Sequence, residues 1–208
     1  MTPARLRASA VVRIAVVALV VAAETYLVTS LGDAFSPANH YSYFTVLSNL
    51  LGAVVCAWAL VAPVPDVVRG AAVTFLGLTG IVYNTMLRGV DVQTEGFPNT
   101  VLHVVVPILM VADWLLDPPR TRTTPRRVVA WMLVPLAYLA YTLVRGPIVD
   151  WYPYPFLDPR DGGYAPVVLG SLLVAVAFFA MALLVAWVGN ALGGTGPRGR
   201  SGRSGRRG

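Results

Sequence analysis

Two short stretches carry side chains whose types and spacing could do chemistry together. In Tyr43-Phe44-Thr45-Val46-Leu47-Ser48-Asn49, the positions of Thr45, Ser48 and Asn49 are i, i+3 and i+4, so a helix puts all three on one face. In Pro98-Asn99-Thr100-Val101-Leu102-His103, Asn99 and His103 are i, i+4 neighbours at the start of another apolar run. A hydroxyl beside an imidazole is the minimal activated nucleophile, because the imidazole takes the proton as the oxygen attacks an acyl carbon. Each stretch also has a plainer reading. Ser42 or Thr45 could cap a helix start, and His103 could be a buried histidine satisfied by Asn99 or a backbone carbonyl.

The elements that would position these residues follow from composition. The chain has 208 residues, 56% hydrophobic and 12% charged, against about 25% charged in soluble domains. Mean hydropathy is +0.66. Too little polar surface remains to wet a soluble exterior, and the fold class expected is all-α, a polytopic bundle in a lipid bilayer. Long apolar runs predict six transmembrane helices, near Val11–Leu31, Phe44–Ala62, Val67–Leu87, Asn99–Leu116, Val128–Val144 and Ala165–Gly189. Together they make a transmembrane domain over 1–192, followed by a basic, disordered tail over 193–208. The first run continues through Tyr26, Leu27 and Val28, longer than a signal peptide's apolar region, and is expected to be retained.

All sixteen basic residues are arginine. With the N-terminus inside, the outer side holds only Arg88, Arg145 and Arg160, and the other thirteen fall inside. The positive-inside rule then places a multi-pass protein in the cell membrane with both termini cytoplasmic. The Gly/Arg/Ser-rich tail lacks aromatic residues for base stacking, so attraction to anionic lipid headgroups is expected rather than nucleic-acid binding. One cysteine, Cys56, and two histidines, His40 and His103, give no metal-ligand spacing, and no cofactor is expected.

Sorting polar residues by depth gathers Glu24, Thr45, Ser48, Asn49, Tyr83, Asn84, Asn99, His103, Tyr138 and Tyr141 in the outer half. The inner half holds little beyond Thr74, Asp113 and Asn190. Glu24 lies roughly 10 Å deep and needs a partner, with Arg88, Arg145 or His103 in reach. One pocket opening to the outer leaflet is the expectation. Asn49, Asn84 and Tyr138 are its candidate oxyanion donors by type and depth, and Glu24 and Asn99 are further candidates for contact with substrate or oxyanion. The aromatic, proline-rich stretch Trp151–Leu157 reads as an interfacial belt, or as a lid.

These stretches, with Thr79-Gly80-Ile81-Val82-Tyr83-Asn84, Asp113-Trp114-Leu115-Leu116 and Tyr152-Pro153-Tyr154-Pro155-Phe156-Leu157 in the same order, resemble the androgen-induced membrane protein family. That family holds the androgen-dependent regulator of tissue factor pathway inhibitor and a bacterial six-helix branch, to which the helix-two stretch is the more similar. The resemblance covers most of residues 11–189. It implies an integral membrane hydrolase of fatty acid esters of hydroxy fatty acids, with Thr45 as nucleophile, His103 as its histidine and Asn99 four residues before it. Thr100 stands where animal members often carry a second histidine. The alternative is a non-enzymatic membrane protein binding a lipid or small molecule in the same pocket, and a transport role comes third. The topology is open to direct test: reporter fusions at either terminus should both report cytoplasmic, and a C-terminal fusion reporting outside would overturn it.

Overall fold

The computed structural model describes residues 2–87 and 96–193. It is all-α, and no strand occurs among the described residues. Its helices are α1 (Pro3–Leu31), the short α2 (Pro37–His40), α3 (Phe44–Val61), α4 (Asp66–Val82), the short α5 (Phe97–Thr100), α6 (Val106–Leu116), α7 (Pro125–Val149) and α8 (Tyr164–Gly193). α4 runs on through a π-helical turn at Tyr83–Leu87, and a second π-helical turn at Val101–Val105 joins α5 to α6. The six continuous segments built from these are long and apolar enough to cross a membrane. They match the six expected runs, with longer ends on α1, α7 and α8. Arg88, Asp91, Glu95 and most of the predicted tail lie outside the described residues.

Turn chemistry sets the boundaries. Pro3 opens α1 behind Thr2, whose hydroxyl accepts from the Arg5 amide at 3.4 Å. Pro63 and Pro65 separate α3 from α4, and Pro125 opens α7. Asp150 closes α7 in the left-handed region at φ 51°.

α1 buries one seam, Val16, Val20, Ala23 and Leu27, and exposes Val11, Ile14, Val21 and Val28. Apolar residues all around a helix with only a narrow buried seam are what a lipid solvent permits. α4 is the central post: it packs against α3, α6 and α8, while α1 packs on α3 and α6, and α7 on α8. Gly70 makes one close approach possible, since a Cβ there would lie 2.4 Å from the Trp131 ring. That ring donates its N–H to the Val67 carbonyl at 2.8 Å.

At the end of the bundle where α1 starts and α8 ends, the expectation of few polar groups is corrected. Arg13 of α1, Arg69 of α4, and Asp113 and Asp117 at the end of α6 form one buried ionic network. Arg13 Nε meets Asp113 at 2.8 Å and its Nη2 meets Asp117 at 2.5 Å. Arg69 reaches Asp113 at 3.1 Å and donates to the Asp117 carbonyl at 2.6 Å, its guanidinium 5.6 Å from the centre of the Trp114 ring. Ser9 donates to Asp113 at 2.5 Å. In the sequence Arg13 and Arg69 count only as inside charges, although both lie within the predicted spans, and their side chains reach the two carboxylates at the end of the neighbouring span. Asp113→Ala removes the carboxylate shared by both arginines and should destabilise the fold by about 3–5 kcal/mol, as expected when one partner of a buried pair is removed. Thermal unfolding in detergent checks this, with Asp161→Ala, an exposed carboxylate, as the mild control.

Candidate functional site

At the opposite end of the bundle, a cavity of about 310 Å³ opens between α1, the 32–43 segment, α3 and the two π-helical turns. Thr45 and His103 both line it, with His40, Asn39, Tyr83 and Tyr154. The two π-helical turns bring the key rings together. Pro107 has no N–H to give the His103 carbonyl, and the Val106 amide instead reaches back five residues to Val101. In the other turn, Asn84 and Thr85 side chains bond the carbonyls of Gly80 and Ile81, each at 2.8 Å, in competition with backbone donors. The result is a stacked pair: the Tyr83 and His103 rings lie 4.0 Å apart at 26°. Gly80 permits the approach, because a Cβ there would stand 3.1 Å from Pro107 and 3.3 Å from the His103 carbonyl.

His103 Nδ1 lies 3.0 Å from the Asn99 carbonyl. A carbonyl only accepts, so Nδ1 carries the proton and Nε2 keeps its lone pair, the tautomer a base requires. Asn99 then holds the stack from its far side, its amide donating to the Tyr83 hydroxyl. Asn99, expected as a contact for substrate or oxyanion, instead positions the two rings, with its side-chain amide directed to Tyr83 and its carbonyl to His103.

Thr45 is buried. Its Oγ1 lies 3.4 Å from the Tyr154 hydroxyl, and its amide donates to that same oxygen at 3.2 Å. No hydrogen bond joins Thr45 to His103 among the described residues; the two face one cavity from different helices. The capping reading is corrected as well. α3 has no side-chain cap, since the Ser42 hydroxyl donates to the Ala38 carbonyl at 2.6 Å.

The other candidates divide. Asn49 is fully buried and gives its amide protons to the carbonyls of Thr45 at 2.8 Å and Leu102 at 3.0 Å. Both donors are used, so it cannot serve an oxyanion, but it ties the peptide of Thr45 to the residue preceding His103. Asn84 is exposed and spent on its own helix. Tyr138 donates to the Ser42 carbonyl at 2.8 Å and lines a second, neighbouring cavity. Among the described residues, Glu24 pairs with neither Arg145 nor His103, and Arg88 lies outside them. His40 Nε2 meets its Oε2 at 2.7 Å, and its Oε1 is buried with no partner among the described residues. Arg145 is engaged elsewhere, with Asn39 at 2.7 Å and over the Trp151 ring at 5.3 Å.

Two residues of the candidate site escaped the sequence. His40 lies on the short α2 outside the long apolar runs, and its only signal was that Glu24 needed a partner. Tyr154 lies in the stretch expected as a surface belt, yet it is only 8% exposed and Leu157 3%. The stretch folds inward over the helices. Burial pushes the Tyr154 phenol well above its ordinary range, so the hydroxyl stays protonated and can donate.

The second cavity, about 90 Å³, lies between α3, α4, α7 and α8, and its walls are mostly apolar, with Phe44, Met132, Leu136 and Phe178 among them. Thr45, Tyr83, Leu87 and Tyr154 line both cavities. Thr45 therefore stands at the junction of a more polar chamber and an apolar one.

Compared with models of protein families, with characterised proteins and with solved structures, the chain matches none. The Glu24–His40 pair gives a test independent of any activity. In a double-mutant cycle of Glu24→Gln and His40→Gln, thermal or denaturant unfolding should yield a coupling of about 1.5–3 kcal/mol, as for a hydrogen bond to a charged group. Additive effects would mean that the pair does not hold the 32–43 segment on α1.

Proposed function

We propose that this chain is an integral membrane hydrolase of long-chain acyl esters, with Thr45 as nucleophile and His103 as base, in the cell membrane with both termini cytoplasmic. The observation that carries the reading is the place of Thr45, between a polar cavity shared with His103 and an apolar one reaching toward α7 and α8. An ester is itself divided in this way. Its acyl chain suits the apolar chamber, and its leaving alcohol suits the polar one. Leu136, half exposed on α7, also lines the apolar chamber, so a chain could enter sideways from the bilayer. The resemblance to the androgen-induced membrane proteins supports the same two residues and points to esters of hydroxy fatty acids.

In this reaction Thr45 Oγ1 attacks the acyl carbon while His103 Nε2 takes its proton. The carbonyl oxygen gains the negative charge, and the Tyr154 hydroxyl, beside Thr45, donates to it. Collapse expels the alcohol, which takes the proton from His103. A water, deprotonated by the same imidazole, then releases the acid and regenerates the threonine.

A second reading, a lipid-binding protein without turnover, is favoured by one observation: the recorded side-chain partner of Thr45 Oγ1 is Tyr154 and not the imidazole. Kinetics separate the two. Purified protein in detergent should hydrolyse long-chain acyl esters, and Thr45→Ala or His103→Ala should each lower kcat by about 10³-fold or more without unfolding the chain. The double variant should be little worse than either single one, because nucleophile and base act as a unit. Thr45→Ser should retain turnover, and Tyr154→Phe should lose about 10²–10³-fold in kcat with KM little changed. Full activity in Thr45→Ala would remove the nucleophile, and no hydrolysis by wild type across a broad lipid-ester panel would leave the binding reading.

A further inference from the structure

A third cavity, about 590 Å³, lies at the other end of the bundle, beside the buried ionic network. Its floor is polar: Arg13, Arg69, Arg120 and Arg127 line it together with Asp66 and Asp117. The charges are not interchangeable. Arg13 and Arg69 are matched by Asp113 and Asp117, which fixes the floor and leaves it near neutral. The Asp66 carboxylate accepts from the Thr121 amide and hydroxyl, each at 2.8 Å, and so anchors the loop that carries Arg120. Arg127 donates to Thr121 Oγ1 and to the Arg122 carbonyl, which holds its guanidinium on the same loop. Arg120 is exposed, and its guanidinium has no hydrogen-bond partner among the described residues. The surplus positive charge of the cavity is thus held by Arg120 and Arg127 on a braced loop.

The rim has the opposite character. Leu6 of α1 and Leu60 and Val61 of α3 line the cavity and are exposed, Val61 at 85%. Both helices are long and apolar enough to cross a membrane, and Leu6 near the start of α1 and Leu60 and Val61 at the end of α3 put an apolar rim where these spans end. A guanidinium matches a phosphate in geometry as well as charge.

We propose that this cavity is a binding site for the phosphate group of an anionic phospholipid, with Arg120 and Arg127 on the phosphate and Leu6, Leu60 and Val61 against the chains. The site is independent of the hydrolase reading, which concerns the other end of the bundle. It differs from general attraction of a basic face to a charged leaflet, because Arg122 and Arg126 lie on the same stretch, are exposed, and do not line the cavity.

That difference supplies the test. The full chain is purified into mixed micelles holding equal amounts of phosphatidylglycerol and phosphatidylcholine, and retained lipid is counted by native mass spectrometry. Wild type should retain phosphatidylglycerol preferentially. Arg120→Gln/Arg127→Gln should lose about fivefold in that preference for each arginine, whereas Arg122→Gln/Arg126→Gln, with the same loss of charge, should keep it. Thermal unfolding of both variants verifies that they remain folded. Millimolar inorganic phosphate should leave the lipid bound, since it offers nothing to the apolar rim. Equal loss in the two double variants, or equal retention of the two lipids by wild type, would overturn the site. Full displacement by inorganic phosphate would assign the cavity to a soluble anion and overturn the lipid.

Discussion

Two guanidinium groups and two carboxylates, taken out of water at one end of the bundle, join α1, α4 and α6. Helix packing in lipid gains little from burying apolar surface, since the solvent is apolar too, and a typical interhelical hydrogen bond there contributes only about 0.6 kcal/mol. A shared ionic network has a different character: it costs much to bury, and once buried it tolerates no missing member. Here it fixes the relative rotation of the three helices that, at their other ends, present Glu24, Tyr83 and His103. The geometry of the candidate site is thus set partly by charges far from it.

Around Thr45 the same economy of polar groups operates on a smaller scale. Asn49 spends both of its donors on two carbonyls and so couples α3 to the turn bearing His103. Asn99 spends its amide on Tyr83 and its carbonyl on His103. Asn49 therefore has no donor left for a ligand. Thr45, His103 and Tyr154 line the cavity together with His40 and Asn39. π-helical turns recur where helices carry functional residues. Here Pro107 accounts for one and the side chains of Asn84 and Thr85 for the other.

The six spans were legible because a bilayer demands about twenty apolar residues and the chain breaks them with proline, glycine and charge. That Thr45 and His103 would line one cavity was legible because helical spacing and a common direction gave them similar depth. What the sequence concealed was reach. Arg13 and Arg69 read as inside charges until their side chains are followed to Asp113 and Asp117. His40 reads as a loop residue until the short α2 turns it toward Glu24. Asn49 and Asn84 have the right type and depth for a donor role, but type and depth say nothing about which carbonyls are already waiting for their protons. Tyr154 belonged to a stretch whose aromatic and proline content fits a membrane interface equally well, and only packing shows it turned inward.

The contact between Thr45 and Tyr154 spans 109 residues of sequence. During synthesis, the helices bearing Thr45 and His103 enter the membrane well before the segment bearing Tyr154 leaves the ribosome. Thr45 and His103 are thus synthesised before the phenol that touches the threonine. The last part of the site to arrive is α8, which walls the apolar chamber with Val174 and Phe178. Completion of the site thus becomes a late step of assembly, one that awaits insertion of α7, the folding back of the chain that follows it, and α8.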